Sequence, residues 1–375
     1  MNLQDLLPES IVQAVCLTLV HSLWQGILLA MLTAMIVLLT KRSTAVKRYG
    51  LLVGAMCLFT LAFFVTLVIE LNSQNTYVLH PSPASPARLP AISGMLSFCH
   101  TYISEHSVIV VNIWLLIIGL RCLHLLFGLY SLERIKRRKV NSPGPYWEAI
   151  VARLGGIMGV GGAVTLLESG IVRIPVVTGY LKPVILIPAG LLTGLGQQEV
   201  EMILLHELAH ILRKDYLVNI LQSLVETLFF FNPAVIWLSS LIRAERENCC
   251  DDMVINQTKN KIGYIKALVH YEQYRAGIPA YAAAFSGTGK GMLQRLERII
   301  SNRNHSLHKL EVFGLTLLIS AGILLAIIRP VQSRDFTRQA ASFFQQESET
   351  KHKEFEAKKK AEAEAIGHRK AIDSP

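Results

Sequence analysis

Between Leu204 and Leu212 the chain reads His206-Glu207-Leu208-Ala209-His210 inside an apolar helical pattern. Residues four apart share one face of a helix, so His206 and His210 can hold one metal ion from successive turns. Glu207 lies about 100° round from His206, where a carboxylate can reach a metal-activated water without itself being a ligand. Two imidazoles for zinc and one carboxylate as general base form the working part of a hydrolytic zinc site. A catalytic zinc usually takes three protein ligands, and the third is sought in Ala244-Glu245-Arg246-Glu247-Asn248-Cys249-Cys250-Asp251-Asp252. Glu247 and Asp251 are four apart and share a face. Glu247 can complete the ligand set while Asp251 orients a ligand imidazole through its second ring nitrogen. On the residues alone Glu245, Cys249 and Cys250 remain alternatives, as does an exposed charged helix.

The elements that must position this chemistry are unusual for a soluble protein. Of 375 residues 51% are hydrophobic and 17% charged, and the mean hydropathy is +0.40, a balance that points to membrane spans. Apolar runs at about 11–39, 51–69 and 108–130 are each near the 20 residues a spanning helix needs, and a shorter one follows at 311–328. The first contains His21-Ser22-Leu23-Trp24-Gln25-Gly26, polar groups that need partners inside a bundle or a place near the interface. The third contains Arg121, which either snorkels to the headgroups or faces the bundle interior. Lys41, Arg42, Lys47 and Arg48 fill the first loop, and Arg134, Lys136, Arg137, Arg138 and Lys139 follow the third run. By the positive-inside rule both stretches are expected in the cytoplasm, with the two termini outside. The net charge of +10 is thus read as a topological signal, and no DNA-binding motif accompanies it. The N-terminus has no basic n-region, so no cleavable signal peptide is expected, and the six cysteines show no disulfide-framework spacing.

Residues 1–140 are therefore expected to form three spans joined by a Pro-rich extracytoplasmic linker at 72–106. A globular domain is expected at 141–310, the fourth span at 311–328 and a charged tail at 329–375. Within the domain Trp147–Leu154 reads as helix. Ala163–Leu167, Gly170–Val177 and Val184–Ile187 read as strands, with a turn at Gly179–Pro183. The strand just before the metal helix could present an edge to an extended substrate or lie buried, and the pattern does not choose. Leu217–Ile242 is long enough to pass for another span, which would put His206 and Glu247 on opposite sides of the bilayer. Its interior polar residues and Asn232-Pro233 suggest instead two helices lying against or partly in the membrane surface.

The order of these motifs resembles one family. His206 to His210 followed by Arg213 and Asp215, then Phe231-Asn232-Pro233-Ala234-Val235-Ile236-Trp237, then Arg246-Glu247 through Cys250-Asp251-Asp252, is similar to the BlaR/MecR-type antirepressor metallopeptidases, peptidase family M56. The His21–Gly26 stretch and the Gly179–Pro188 segment also look like that family, so the resemblance covers about residues 10 to 328. It implies an α+β fold: a four-helix transmembrane region and a mostly helical cytoplasmic zincin-like protease domain carrying a small β-sheet. It implies Zn²⁺ on His206, His210 and Glu247, with Glu207 catalytic and Asp251 in support. It also implies a bacterial cytoplasmic-membrane location and an extracytoplasmic signal that triggers cleavage of a DNA-binding repressor, and of the protease itself. Self-processing is expected in the Tyr281–Gly291 stretch. The expected partners are a protein substrate, membrane lipid and, as an open alternative, a second copy in a homodimer. No direct nucleic-acid binding is expected. The antibiotic-sensing members carry a penicillin-binding domain after the last span, whereas residues 329–375 hold only Ser348-x-x-Lys351 in a charged tail, so direct β-lactam sensing is not expected. Two rival readings are a catalytically silent signalling scaffold and a quality-control membrane metalloprotease.

Overall fold

The computed structural model describes residues 8–77, 106–136, 138, 140–179, 182–276, 290–304 and 314. The expected fourth span, the charged tail, most of the Pro-rich linker, Cys99, and most of the Tyr281–Gly291 stretch lie outside the described residues. So do Arg137, Lys139 and the Tyr180-Leu181 pair of the expected turn. Three described helices are long and apolar enough to cross a membrane: α1 (Glu9–Leu39), α2 (Ala45–Tyr77) and α3 (Ser107–Ile135). Each is longer than the apolar run that announces it, since helices continue into their polar flanks until a cap or break stops them.

The polar interruption of α1 finds partners both within the bundle and at its surface. Gln25 donates to Thr66 on α2 at 2.7 Å, Trp24 donates to His21 at 3.0 Å, and His21 lies 3.4 Å from Glu70. Arg121 is exposed, and its guanidinium lies 5.3 Å from the Phe230 ring centroid.

Beyond α3 a small mixed layer forms: β1 (Val140–Asn141), α4 (Pro145–Met158), β2 (Thr165–Ser169), β3 (Val176–Thr178) and β4 (Val184–Pro188). Pro145 stands in the first turn of α4, where its missing N–H costs nothing, and Gly159 (φ 75°) closes it in a left-handed cap. The sheet order is β1-β2-β4-β3, with β2 and β4 parallel and the outer pairs antiparallel. Of the strand run expected from Gly170 only Val176–Thr178 pairs. β4, the strand ahead of the metal-motif helix, lies between two others with all five residues buried, so it offers no free edge. The free edge on that side belongs to β3. A one-turn helix α5 (Leu191–Gly194) then leads to α6 (Gln197–Arg213), which carries the metal motif. α6 packs Val200, Leu204, Leu205 and Leu208 into one core with Leu166, Ile185 and Ile187 of the sheet and Ala267 and Leu268 of α9 (Lys261–Ala276). Each fully buried aliphatic side chain contributes roughly 1.5–3 kcal/mol, which fixes the helix that holds the histidines.

The long apolar run past the motif is not one continuous helix. It forms α7 (Asp215–Leu228) and α8 (Pro233–Thr258), two helices that meet at a break over Phe229–Asn232. Asn232 stops the chain from continuing straight: its side chain accepts the Ala234 N–H at 3.1 Å and so caps α8, with Pro233 in the first turn. The same side chain donates to the Ser22 carbonyl of α1 at 3.0 Å. Gly26, one turn on from Ser22, leaves the room for this approach, because a Cβ there would lie 2.5 Å from Asn232 Nδ2. Phe229 packs edge-on against Phe59 and Phe63 of α2, and Trp114 of α3 donates to the Leu228 carbonyl at 3.1 Å. The tip of the hairpin thus packs beside the middle of the apolar helices, about 25 Å along α1 from Leu39 at about 1.5 Å per residue. It runs alongside the bundle and does not lie across its end.

Candidate metal centre

Two helices supply the donors. α6 brings His206 and His210 to one face, and their rings meet edge-on with centroids 4.9 Å apart. α8 brings Glu247 opposite, its Oε2 3.4 Å from His206 Nε2 and its Oε1 3.8 Å from His210 Nε2. The donor atoms of these three residues all lie within 4.8 Å of one another. A four-coordinate ion with bonds of about 2.0–2.2 Å separates its ligands by about 3.3–3.5 Å, so the donor set has the size and chemistry for zinc. The residues therefore fit the ion that the motif implies. Glu207 lines the same cavity of about 780 Å³ as His206, His210 and Glu247, together with Tyr264, Tyr271 and Arg295. Ile174 and Pro175, which lead into the β3 edge, form part of its wall.

The alternatives for the third ligand are placed elsewhere. Glu245 is buried in an ion pair with Arg48 of α2 at 3.0 Å and accepts from Asn248 at 3.1 Å. Cys249 is fully buried, and burial pushes its thiol up to about 12. Cys250 lies behind the site, with Sγ 3.4 Å from His210 Nδ1, the ring nitrogen turned away from Glu247, and burial pushes its thiol up further.

Both imidazoles are held from behind. Asp251 Oδ1 lies 3.4 Å from His206 Nδ1, and Tyr264 bridges the two, its hydroxyl 2.9 Å from Nδ1 and donating to Asp251 at 2.7 Å. Asp251 therefore does face a ligand imidazole, partly through Tyr264. Asp251 is itself gripped by Arg295 from α10 (Lys290–Ser301), which donates at 3.0 and 2.5 Å and also reaches Glu247 at 3.5 Å. His210 Nδ1 is 2.8 Å from Asp215 Oδ2. The chain gets there by a sharp turn: Lys214, left-handed at φ 54°, ends α6 and starts α7, so Asp215 folds back under His210. Arg213 donates to Asp215 at 3.2 and 3.3 Å and fixes it in turn. Tyr264 and Arg295 carry no local signature in the sequence, and Asp215 shows only as a charged residue after the motif.

Electrostatics follow from this packing. Burial opposes a charge on His206, but hydrogen bonds to Asp251 and Glu247 outweigh it and raise the imidazole to about 9. Burial likewise opposes a charge on Glu247, and its bond to His206, with Arg295 nearby, outweighs burial and holds the carboxyl at about 2, ionised and ready to bind a cation. For Glu207 burial prevails over the pull of His206 and His210 and lifts the carboxyl above its usual range. That is the direction a proton acceptor near neutral pH requires.

A helix-borne pair of imidazoles thus faces a glutamate in a cavity, the arrangement of a metal-binding hydrolytic site, on a chain with three helices long and apolar enough to cross a membrane. The family model for BlaR1 peptidase M56 matches residues 17–300, and the chain belongs to that family. It is 28% identical over 142 residues to the regulatory protein BlaR1 of Bacillus licheniformis, covering 37% of this chain and 24% of that protein. It is 27% identical over 177 residues to the methicillin resistance mecR1 proteins of Staphylococcus aureus and Staphylococcus epidermidis, covering 44% of this chain and 30% of those. The matched stretches thus span less than a third of these relatives' length.

Proposed function

We propose that the chain is a zinc endopeptidase of the bacterial cytoplasmic membrane that cleaves a protein substrate, a DNA-binding repressor, in response to an extracytoplasmic signal. In this reading four spans leave both termini outside and place the protease domain, residues 141–310, in the cytoplasm. His206, His210 and Glu247 hold Zn²⁺, which when bound supplies a Lewis acid for the scissile carbonyl and for the attacking water. Glu207 accepts the proton of that water and passes it to the leaving amine, so that the amide C–N bond breaks and two chain ends form. Asp251 with Tyr264 orients His206, and Asp215 orients His210, so the free ring nitrogens stay aimed at the cavity. The β3 edge, whose approach lines the cavity, is the natural place for an extended substrate segment.

The observation that carries the reading is the convergence of three donors from two helices within 4.8 Å, in a cavity that Glu207 also lines. The test pairs wild type with Glu207→Ala in membranes and follows zinc content together with fragmentation of the chain and of a candidate repressor. The expected result is about one zinc per chain in both and cleavage products in wild type alone. Zinc without any product under every stimulus tried would favour the silent scaffold.

A further inference from the structure

The elbow where α1 turns into α2 rests against the back of the metal centre by three separate routes. First, Arg48 of α2 is fully buried and its Nε lies 3.0 Å from Glu245 Oε1, two residues before Glu247 on α8. Second, the Tyr49 ring lies under the Arg213 guanidinium, 4.8 Å from ring centroid to carbon. Arg213 in turn holds Asp215, which holds His210. Third, Asn304 donates to the carbonyls of Thr40 at 3.1 Å and Ser43 at 2.7 Å, while Arg298 donates to Asn304 at 3.2 Å. Arg298 shares α10 with Arg295, the residue that grips Asp251 and Glu247.

A fully buried ion pair is a poor source of stability, because well-packed apolar residues of similar volume often do as well or better. What such a pair does impose is registry. Its attraction in a low-dielectric interior is steep in distance, so α2 cannot slide against α8 by a fraction of a helical turn without losing it. α8 is one uninterrupted helix through Glu245 and Glu247, so a force on the first is felt at the second. The Tyr49 route reaches the opposite ligand, on a different helix. Arg48 and Glu245 reach the wall of the cavity, whereas neither Tyr49 nor Asn304 lines it.

We propose that Arg48 and Tyr49 are positioning residues through which the membrane-capable helix α2 sets the aim of the metal donors, so that displacement of α2 loosens or tightens the site. The inference rests on the metallopeptidase reading and adds to it the element through which a signal received across the membrane reaches the ligands. It differs from simple anchoring of a domain to a helix, because anchoring alone would leave metal affinity untouched wherever the fold survives.

The test uses the full chain in detergent micelles and zinc alone as the probe, with zinc affinity read by competition against a chromogenic chelator and metal-free stability read by thermal unfolding. Tyr49→Leu removes the ring face, and Tyr49→Phe keeps it. The expected result is about 5–10-fold weaker zinc binding for Tyr49→Leu with metal-free melting within about 2 °C of wild type, and affinity within about twofold of wild type for Tyr49→Phe. Should Tyr49→Leu fail to fold, the double variant Arg48→Met with Glu245→Met decides, since it replaces the buried pair by apolar volume. It is expected to fold and to bind zinc about tenfold more weakly. Wild-type affinity in either folded variant, or a loss matched by an equal loss of metal-free stability, overturns the proposal. Wild type that binds no zinc would bring down the metallopeptidase reading and this inference with it, whereas wild type that binds zinc as tightly as every folded variant would bring down the inference alone.

Discussion

Glu245 and Glu247 stand two residues apart on one helix, and exchanging each for glutamine should give opposite signatures. Glu247 supplies the carboxylate that closes the donor set, 3.4 and 3.8 Å from the two imidazole nitrogens. A four-ligand zinc site in a small domain is worth about 10–16 kcal/mol at neutral pH, so one ligand carries roughly a quarter, or about 2.5–4 kcal/mol. That corresponds to a loss of about a hundred-fold to several hundred-fold in zinc affinity for Glu247→Gln, at about 1.4 kcal/mol per tenfold. The metal-free fold should lose only part of the stabilisation that His206 draws from its carboxylates, since Asp251 stays beside it and glutamine keeps the volume and a hydrogen-bonding oxygen. Glu245 faces the other way, into a pair with fully buried Arg48. Glu245→Gln takes the negative charge out of that pair, and removing one partner of a buried pair costs about 3–5 kcal/mol of stability. Its zinc affinity should fall by tenfold or so at most, the range of a change in positioning. Metal competition and thermal unfolding of the full chain, run on the same preparations, separate the two outcomes. A several hundred-fold zinc loss in Glu245→Gln with normal binding in Glu247→Gln would refute the assignment of the third ligand.

Asp215→Asn should weaken zinc binding about 10–100-fold, because it removes the charge that fixes His210 from behind; an affinity equal to wild type would mean His210 needs no such support. Gly26→Ala should lower the melting temperature and spare zinc affinity in the molecules that remain folded, since the new Cβ would lie 2.5 Å from Asn232 Nδ2 where the hairpin meets α1. A neutral Gly26→Ala would show that the hairpin tip can shift freely. The metal-free protein should lose stability as pH rises from about 6.5 through about 9. His206 has its folded value raised to about 9, so its contribution is complete below the unfolded value and is lost as it deprotonates in place. The contribution is on the order of 3 kcal/mol at most. Zinc affinity should rise over the same interval, because the ion then displaces fewer protons. Stability of the metal-free chain that climbs between pH 6.5 and 9 would contradict this account of His206.

How much of this was legible in the chain follows from how far each signal travels. The His206–His210 pair, the glutamate between them and the choice of the 244–252 stretch for the third ligand rest on spacing within single helices, and spacing is what a sequence displays. The three apolar helices were legible for the same reason. The preference for Glu247 over Glu245 rested on its spacing to Asp251 and on the family resemblance, and the partner that occupies Glu245, Arg48 nearly 200 residues upstream, had no local signal. Tyr264, Arg295 and Asn304 reach the site by tertiary packing alone. Asp215 is a middle case, five residues from His210 yet brought under it only by the left-handed turn at Lys214, a conformation that no glycine announces. The strand ahead of the metal helix read equally well as an edge or as core, because a run such as Val184–Pro188 is apolar throughout, and its place between β2 and β3 decided the matter.

The apolar run from Leu217 to Ile242 shows how chemistry and topology constrain one another. Read by hydropathy it passes for a span, and a span would carry Glu247 to the far side of the bilayer from His206. The chain avoids this with two residues. Asn232 ends the first helix by capping the second, and Pro233 takes the first-turn position that needs no hydrogen bond, so α8 runs back beside α7. The turn lies among apolar helices, where unpaired backbone groups would be costly, and the partners are present. The Leu228 carbonyl accepts from Trp114 and the Ser22 carbonyl accepts from Asn232, with Gly26 leaving space for the approach. The polar stretch of α1 and the Asn-Pro break are therefore one device, and what it secures is a glutamate facing two histidines.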